Sequence, residues 1–177
     1  MEKIILVGHP GSQKIVKASR YLVEKYLTGF EAIYINHIGD IKDWSTFVGG
    51  FLMTLEDEKI IFALDDYLIS GPLDREIYND LLNRMTFCAK LCHAREDENQ
   101  EYPITTQYCI WNRKALIDLL SKVNTPWEFE GLKVDGVIFG NALPYYTNSC
   151  LSNRWEGVRL DGLNDEDINY LKQNNYV

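Results

Sequence analysis

The sequence has no excess of positive charge, no C-x-x-C pair, no long apolar run and only three histidines. Each of these shortages removes a class of function. Lys and Arg number 18 against 26 Asp and Glu, for a net charge of −8. Nucleic acids and anionic membrane surfaces are bound by Lys/Arg-rich faces, so neither is expected as a partner. The cysteines, Cys88, Cys92, Cys109 and Cys150, form no redox or zinc pair, and no signal-peptide pattern precedes the first apolar segment. A reduced, cytoplasmic protein is therefore expected. Cys88, Cys92 and His93 lack the fourth ligand and the tight spacing of a zinc centre, and read as ordinary thiols and an imidazole. No apolar stretch approaches the roughly 18–20 residues that span a bilayer. The nearest, residues 44–55, has helical periodicity. Repeats, low-complexity tracts and linkers are also missing.

What is present is the composition of a folded domain: 177 residues, 46% apolar and 25% charged. A single domain with a real core is expected over residues 1–177. Its first half alternates two periodicities. Residues 4–7 and 60–64 are short apolar runs of the kind buried on both faces of a parallel sheet, and residues 32–35 read as a second strand between them. Between them, Ile15, Val16, Leu22, Val23, Tyr26 and Leu27 share one helical face, as do Trp44, Phe47, Val48, Phe51, Leu52 and Leu55 behind a cap at Asp43. A third helix starts at Asp74 with Ile77, Tyr78, Leu81, Leu82 and Met85 inward. This β-α-β-α-β-α succession predicts an α/β fold with a parallel sheet and right-handed crossovers. Beyond Thr86 the expectation is a half-exposed strand at 87–91, a charged loop at 94–101, an extended segment at 104–111 and a helix at 115–123. A loop-rich tail then ends in a short helix capped by Asn164.

The most informative chemistry follows the third strand, where the apolar run ends in two adjacent carboxylates, Asp65 and Asp66. In open α/β sheets ligands sit outside the carboxyl ends of the strands. Two like charges at such a mouth suit a divalent cation, and Mg²⁺ or Mn²⁺ prefers oxygen ligands of this kind. A solvated turn is the competing reading of the pair alone. Residues 8–14, GHPGSQK, join a strand end to a helix start but match neither phosphate-loop pattern. Farther on, Trp111 and Trp127 offer aromatic faces of the kind that pack on sugars, with core packing as the alternative for Trp111. Glu128 and Glu130 straddle Phe129. In an extended segment both would point to one side, where either carboxylate could act as general base.

The combination ALDDY, then Q-x-x-I-W-N-R-K-x-L, then P-W-E-F-E, in this order, resembles small GT-A-fold glycosyltransferases (family 2-like) of polysaccharide clusters and phages. The resemblance covers residues 3–131. It implies a mixed, mostly parallel GT-A-like sheet flanked by helices, with a nucleotide-binding part at about 1–85 and an acceptor and catalytic part at about 86–177. It implies a hexosyltransferase acting on a nucleoside-diphosphate sugar, with a UDP-sugar favoured, and on a saccharide or other hydroxyl acceptor, with inversion. In such enzymes the last Asp of a DxD-like motif ligates Mn²⁺ or Mg²⁺. Carried over, Asp66 is the metal ligand and Asp65 touches ribose or donor sugar. His9, Pro10, Gly11, Ser12 and His37 would line the donor site, Gln107, Trp111 and Trp127 the acceptor site, and Glu128 or Glu130 would be the base. Glu128 directly follows the aromatic that would seat the acceptor. The chain departs from the pattern in being short and in having Asp-Asp-Tyr rather than a spaced D-x-D. The rival expectations are a metal-dependent nucleotidyl- or phosphoryl-transfer enzyme, and a nucleotide-sugar-binding module without catalysis.

Overall fold

The computed structural model describes residues 2–8, 13–92, 105–147, 160 and 162–176. In chain order these form β1 (Glu2–Gly8), α1 (Gln13–Tyr26), β2 (Phe30–Asn36), a 3₁₀ turn (Ile41–Asp43) leading into α2 (Trp44–Met53), and β3 (Lys59–Leu64). There follow β4 (Tyr67–Ile69), α3 (Arg75–Arg84), β5 (Cys88–Lys90), β6 (Cys109–Asn112), α4 (Arg113–Leu120) and α5 (Pro126–Glu130). β7 (Val137–Phe139), β8 (Tyr145–Thr147) and α6 (Asp165–Gln173) complete the order.

Six strands make one sheet in the order β2-β1-β3-β6-β5-β7, in which only β6 runs against its neighbours. The runs of β1 and β3 lie inside the sheet, as their composition requires, because a strand covered on both faces must be apolar on both, whereas β2 is an edge strand and half-buried. Alternate residues feed two cores. Ile4, Leu6, Ile61 and Ala63 pack under α1 and α3 with Ile15, Leu22, Tyr78 and Leu81. Ile5, Val7, Ile60 and Phe62 pack under α2, α4 and α5 with Trp44, Val48, Leu52, Leu116 and Phe129. A separate ribbon pairs β4 with β8, antiparallel.

The three strand–helix units occur as the periodicities predict, and Asp74 and Asn164 cap α3 and α6 through their side chains. Four details differ. Asp43 makes no side-chain cap bond to α2; the chain enters that helix through the 3₁₀ turn, so the capping oxygen is that of Asp40, which accepts from Lys42 N. The strand at 88–90 is buried on both faces rather than half-exposed, Lys90 included. The tail contributes two strands, β7 and β8. Most importantly, residues 126–130 form a helix, not an extended segment: Pro126 occupies its first turn and Thr125 caps it by accepting from Glu128 N. The charged loop at 94–101 lies outside the described residues.

Candidate functional site

Parallel register brings the carboxyl ends of β1, β2 and β3 to one edge: Gly8 pairs with Asn36, and Val7 with Leu64. The ends are laced together by backbone bonds. His37 N donates to Gly8 O and Asp65 N to Val7 O, both at 3.0 Å. Leu64 N donates to Thr106 O at 2.8 Å, joining the approach to β6 to the same edge. GHPGS, INHIGD and LDDY therefore start from one line, as the fold predicts, although His9, Pro10, Gly11 and Ser12 themselves lie outside the described residues.

Asp65 and Asp66 follow β3 directly and are 3% and 4% exposed. On the α1 side of the sheet, Asp65 occupies the space that a side chain at position 8 would fill. An ideal Cβ on Gly8 would lie 2.2 Å from Asp65 Oδ2 and 3.1 Å from Asn36 Oδ1. Glycine stands there because a carboxylate and a carboxamide converge on its backbone. Asn36 opens the loop, residues 36–40, that the sequence resemblance places over the nucleoside; Gly8 was not singled out, and a glycine ending a buried strand was the available signal.

A divalent ion at this edge would meet two neighbouring carboxylates. Among the described residues no group of three or more His, Cys, Asp or Glu could close a full shell. That donor set fits Mg²⁺ or Mn²⁺, which takes one or two carboxylates and completes its shell with water and substrate phosphate. It does not fit a closed structural metal centre.

The other residues fall into three groups. His37 is at the edge and 5% exposed. Its ring is packed beside Phe47, at 5.4 Å between centroids, and close under Gly39. Gln107 also stands near the edge, where its Oε1 accepts from the Tyr145 hydroxyl at 2.6 Å and ties the approach to β6 to the ribbon. Trp111 does not reach a surface. It is fully buried in the α4–α5 core against Phe87 and Phe129, so an acceptor-seating role for its ring is corrected to core packing. Trp127, by contrast, is 63% exposed on α5.

The helical form of 126–130 separates the two glutamates. Two residues along a helix is about 200°, so they point to opposite sides rather than to one. Glu128 Oε2 accepts from Asn124 N at 2.7 Å, closing a capping motif with Thr125. Glu130 Oε1 accepts from Thr106 N at 3.1 Å and from the Thr106 hydroxyl at 2.5 Å. Thr106 is the residue whose carbonyl holds Leu64, one position before Asp65. Of the pair, Glu130 is the one joined to the carboxyl edge.

Lys90 was missed by sequence reasoning. It ends β5 at the same edge, is 5% exposed, and its Nζ lies 5.3 Å from the Phe139 ring centre. A lysine between Ala89 and Leu91 looks like the solvent-facing partner of a half-exposed strand, and no local signal says otherwise.

No protein-family model and no curated protein matches the chain. In fold it is similar to the glycosyltransferase GlyE of Streptococcus pneumoniae TIGR4, with TM-score 0.56 and 8% identity over 78% of this chain. The aligned part is 45% of GlyE, so the chain spans under half of that protein. It is also similar to A197 from STIV, with TM-score 0.54, 12% identity, and coverage of 83% of this chain and 85% of that one. A third likeness is to a glycosyltransferase involved in the glycosylation of the major capsid of PBCV-1. There the TM-score is 0.51 and the identity 15%, over 80% of this chain and 83% of that one. At these identities the likeness is one of fold, and the fold is GT-A-like: a mixed, mostly parallel sheet with flanking helices. Among the described residues no helix is long and apolar enough to cross a membrane.

Proposed function

We propose that the chain is a metal-dependent glycosyltransferase that moves a hexose from a nucleoside-diphosphate sugar, with a UDP-sugar favoured, to an acceptor hydroxyl. The observation that carries this reading is the buried Asp65–Asp66 pair at the carboxyl edge, with Asp65 packed over the Cβ-free face of Gly8. Asp66 would hold Mn²⁺ or Mg²⁺, and Asp65 would contact ribose or donor sugar. The bound ion supplies positive charge against the negative charge that builds on the departing diphosphate. The acceptor oxygen forms its bond to the anomeric carbon as the bond from that carbon to the diphosphate breaks. The electron pair leaves with the diphosphate, and the acceptor proton passes to a carboxylate. We assign that carboxylate to Glu130, with Thr106 fixing Oε1 and Oε2 taking the proton. Direct displacement of this kind inverts the anomeric centre. Trp127, exposed one turn from Glu130, is the aromatic available to an acceptor sugar.

Calorimetry tests the donor site. Wild-type protein should bind UDP in Mn²⁺ and lose that binding in EDTA, and Asp66→Ala should not bind it in either, with an unchanged circular dichroism spectrum. Equal affinities for the mutant and wild type would overturn the metal assignment. Lys90, buried at the same edge, supports a second reading, a metal-dependent nucleotidyl- or phosphoryl-transfer enzyme. A nucleotidyl-transfer enzyme would release pyrophosphate from a nucleoside triphosphate and a sugar phosphate, and a phosphoryl-transfer enzyme would consume a nucleoside triphosphate and phosphorylate its acceptor. The glycosyltransferase consumes a nucleoside-diphosphate sugar and releases a nucleoside diphosphate. A nucleotide-sugar-binding module would do none of these.

A further inference from the structure

One row below Asp65, three hydroxyls are buried between α1 and the sheet. Tyr34 pairs with Leu6 in register, and Leu6 with Ala63. Phe62 pairs with Cys109, so Ala63 and Tyr108 are each one residue nearer the carboxyl edge than that pair. Tyr34, Leu6, Ala63 and Tyr108 all belong to the core under α1. Tyr108 adjoins the small Ala63 on one side, and Tyr34 lies beyond Leu6 on the other. Ser19 completes the group from the inner face of α1, one turn past Ile15 and beside Ala18. Tyr108 and Ser19 are 0% and 1% exposed. Ser19 Oγ, Tyr34 Oη and Tyr108 Oη are all buried, and none has a hydrogen-bond partner among the described residues. A serine inside a helix ordinarily bonds back to a carbonyl of the preceding turn, and Ser19 does not.

Three orphaned hydroxyls in one place are an anomaly, since a buried hydroxyl left unbonded is destabilising and native interiors hold few of them. A polar enclosure offering two to four partners is the kind that retains an internal water. The phenols are donors here. Burial, with the nearby Asp65 carboxylate adding to it, pushes both well above their ordinary range, against the opposing effect of the Ser19 hydroxyl.

The geometry points to a buried hydration site enclosed by Ser19, Tyr34 and Tyr108, holding one water that links these hydroxyls to the Asp65 carboxylate. Tyr34 and Tyr108 donate to the water oxygen, and its two hydrogens go to Ser19 Oγ and to Asp65. All three orphans are then satisfied, and the carboxylate that faces Gly8 is held from behind. Tyr34 and Tyr108 are thereby positioning residues for Asp65, acting on the ion and donor through it. This second step rests on the donor-site reading above; the hydration site does not.

Tyr34→Phe and Tyr108→Phe in the full chain test both steps. If the hydroxyls are bridged by water, each substitution lowers the thermal unfolding midpoint; if they are bare, removing an unsatisfied hydroxyl raises it. A rise in both variants, or a crystal structure of the wild type without a water among the three hydroxyls, overturns the hydration site. For positioning, outer-sphere partners of metal-binding groups typically contribute about 10–100-fold in affinity. Mn²⁺-dependent UDP binding, followed by calorimetry, should weaken about tenfold in each Phe variant while circular dichroism is unchanged. Unchanged affinity overturns the positioning role. If wild-type protein binds no UDP in Mn²⁺, the donor-site reading fails and takes the positioning role with it, while the midpoints still decide the hydration site.

Discussion

Two regions bury carboxylates, and they differ in how the charges are grouped. Asp167 on α6 is fully buried and surrounded by donors from the fold: Lys25 Nζ at 2.8 Å, Tyr21 Oη at 3.0 Å, Tyr26 Oη at 2.5 Å and Asn164 Nδ2 at 2.9 Å. Its neighbours also stack, with Tyr21 and Tyr170 3.9 Å apart in parallel planes. This carboxylate fastens α6 to α1. Asp65 and Asp66, instead, set two like charges side by side in a turn at the sheet edge. Charge matched by a cation from the fold belongs to stability, whereas doubled charge at a strand mouth is suited to an ion and an anionic ligand. The difference teaches that burial alone does not mark a functional acid; the chemistry of its surroundings does.

The largest effect should separate the two regions outright. Mn²⁺ with UDP should raise the unfolding midpoint of the wild type by mass action, and Asp66→Ala should abolish that rise. Without metal, the Asp66→Ala midpoint should stay close to that of the wild type, because the proposed role of this carboxylate is at the ion rather than in the fold. A lower metal-free midpoint would break the comparison. Next, Glu130→Gln should reduce transfer by roughly 10²–10⁴-fold with donor affinity kept, as loss of a general base does. Glu128→Gln should leave the rate unchanged, since that carboxylate serves the start of α5. The reverse pattern, measured by turnover of a UDP-sugar, would return the base to Glu128.

Asp167→Ala should cost about 2–3 kcal/mol in denaturant unfolding, because it strands Lys25 and two phenols, and it should leave nucleotide binding intact. The smallest effect is in pH. Burial opposes ionisation of Asp167, but the hydrogen bonds from Lys25, Tyr26 and Tyr21 outweigh it and hold its carboxyl below the usual range. Its contribution is therefore present above the ordinary Asp value near 3.9 and lost as pH falls through the lower folded value. Lys25 is raised by its bond to Asp167, and burial raises Tyr21 and Tyr26. Their contributions are complete below about pH 10 and lost as pH climbs through the raised values. Protection of the α6 amides, their exchange measured against the intrinsic rate at the same pH, should be highest between about pH 4 and 10 and fall at both ends.

The sequence made the first three strand–helix units legible because buried strands and one-faced helices impose different periods on apolar residues. Residues 4–7 and 60–64 could not be read otherwise, and their carboxyl ends fixed where Asp65 and Asp66 would stand. Short elements were less legible. β7 and β8 have three residues each, too few to show a period. The 126–130 segment carried its helix signal openly in Thr125-Pro126-Trp127-Glu128, a cap followed three residues on by an acid, with proline at the first turn. Reading it as extended joined Glu128 and Glu130 on one side and favoured the wrong neighbour for the edge. Trp111 shows the other limit. A tryptophan followed by a helix start looks the same in sequence whether its ring meets sugar or Phe129.

The absent side chain at position 8 ties two distant positions into one heritable unit. Any residue larger than glycine there meets the Asp65 side chain, so substitution at 8 either moves that carboxylate from its place or accompanies a shorter side chain at 65. Lineages that keep the acid can change the solvent-facing positions of α1 but not this residue. Lineages that lose it are released at both positions together. Covariation between 8 and 65 would thus record whether a descendant still works at this edge, even after overall identity has fallen too low to compare.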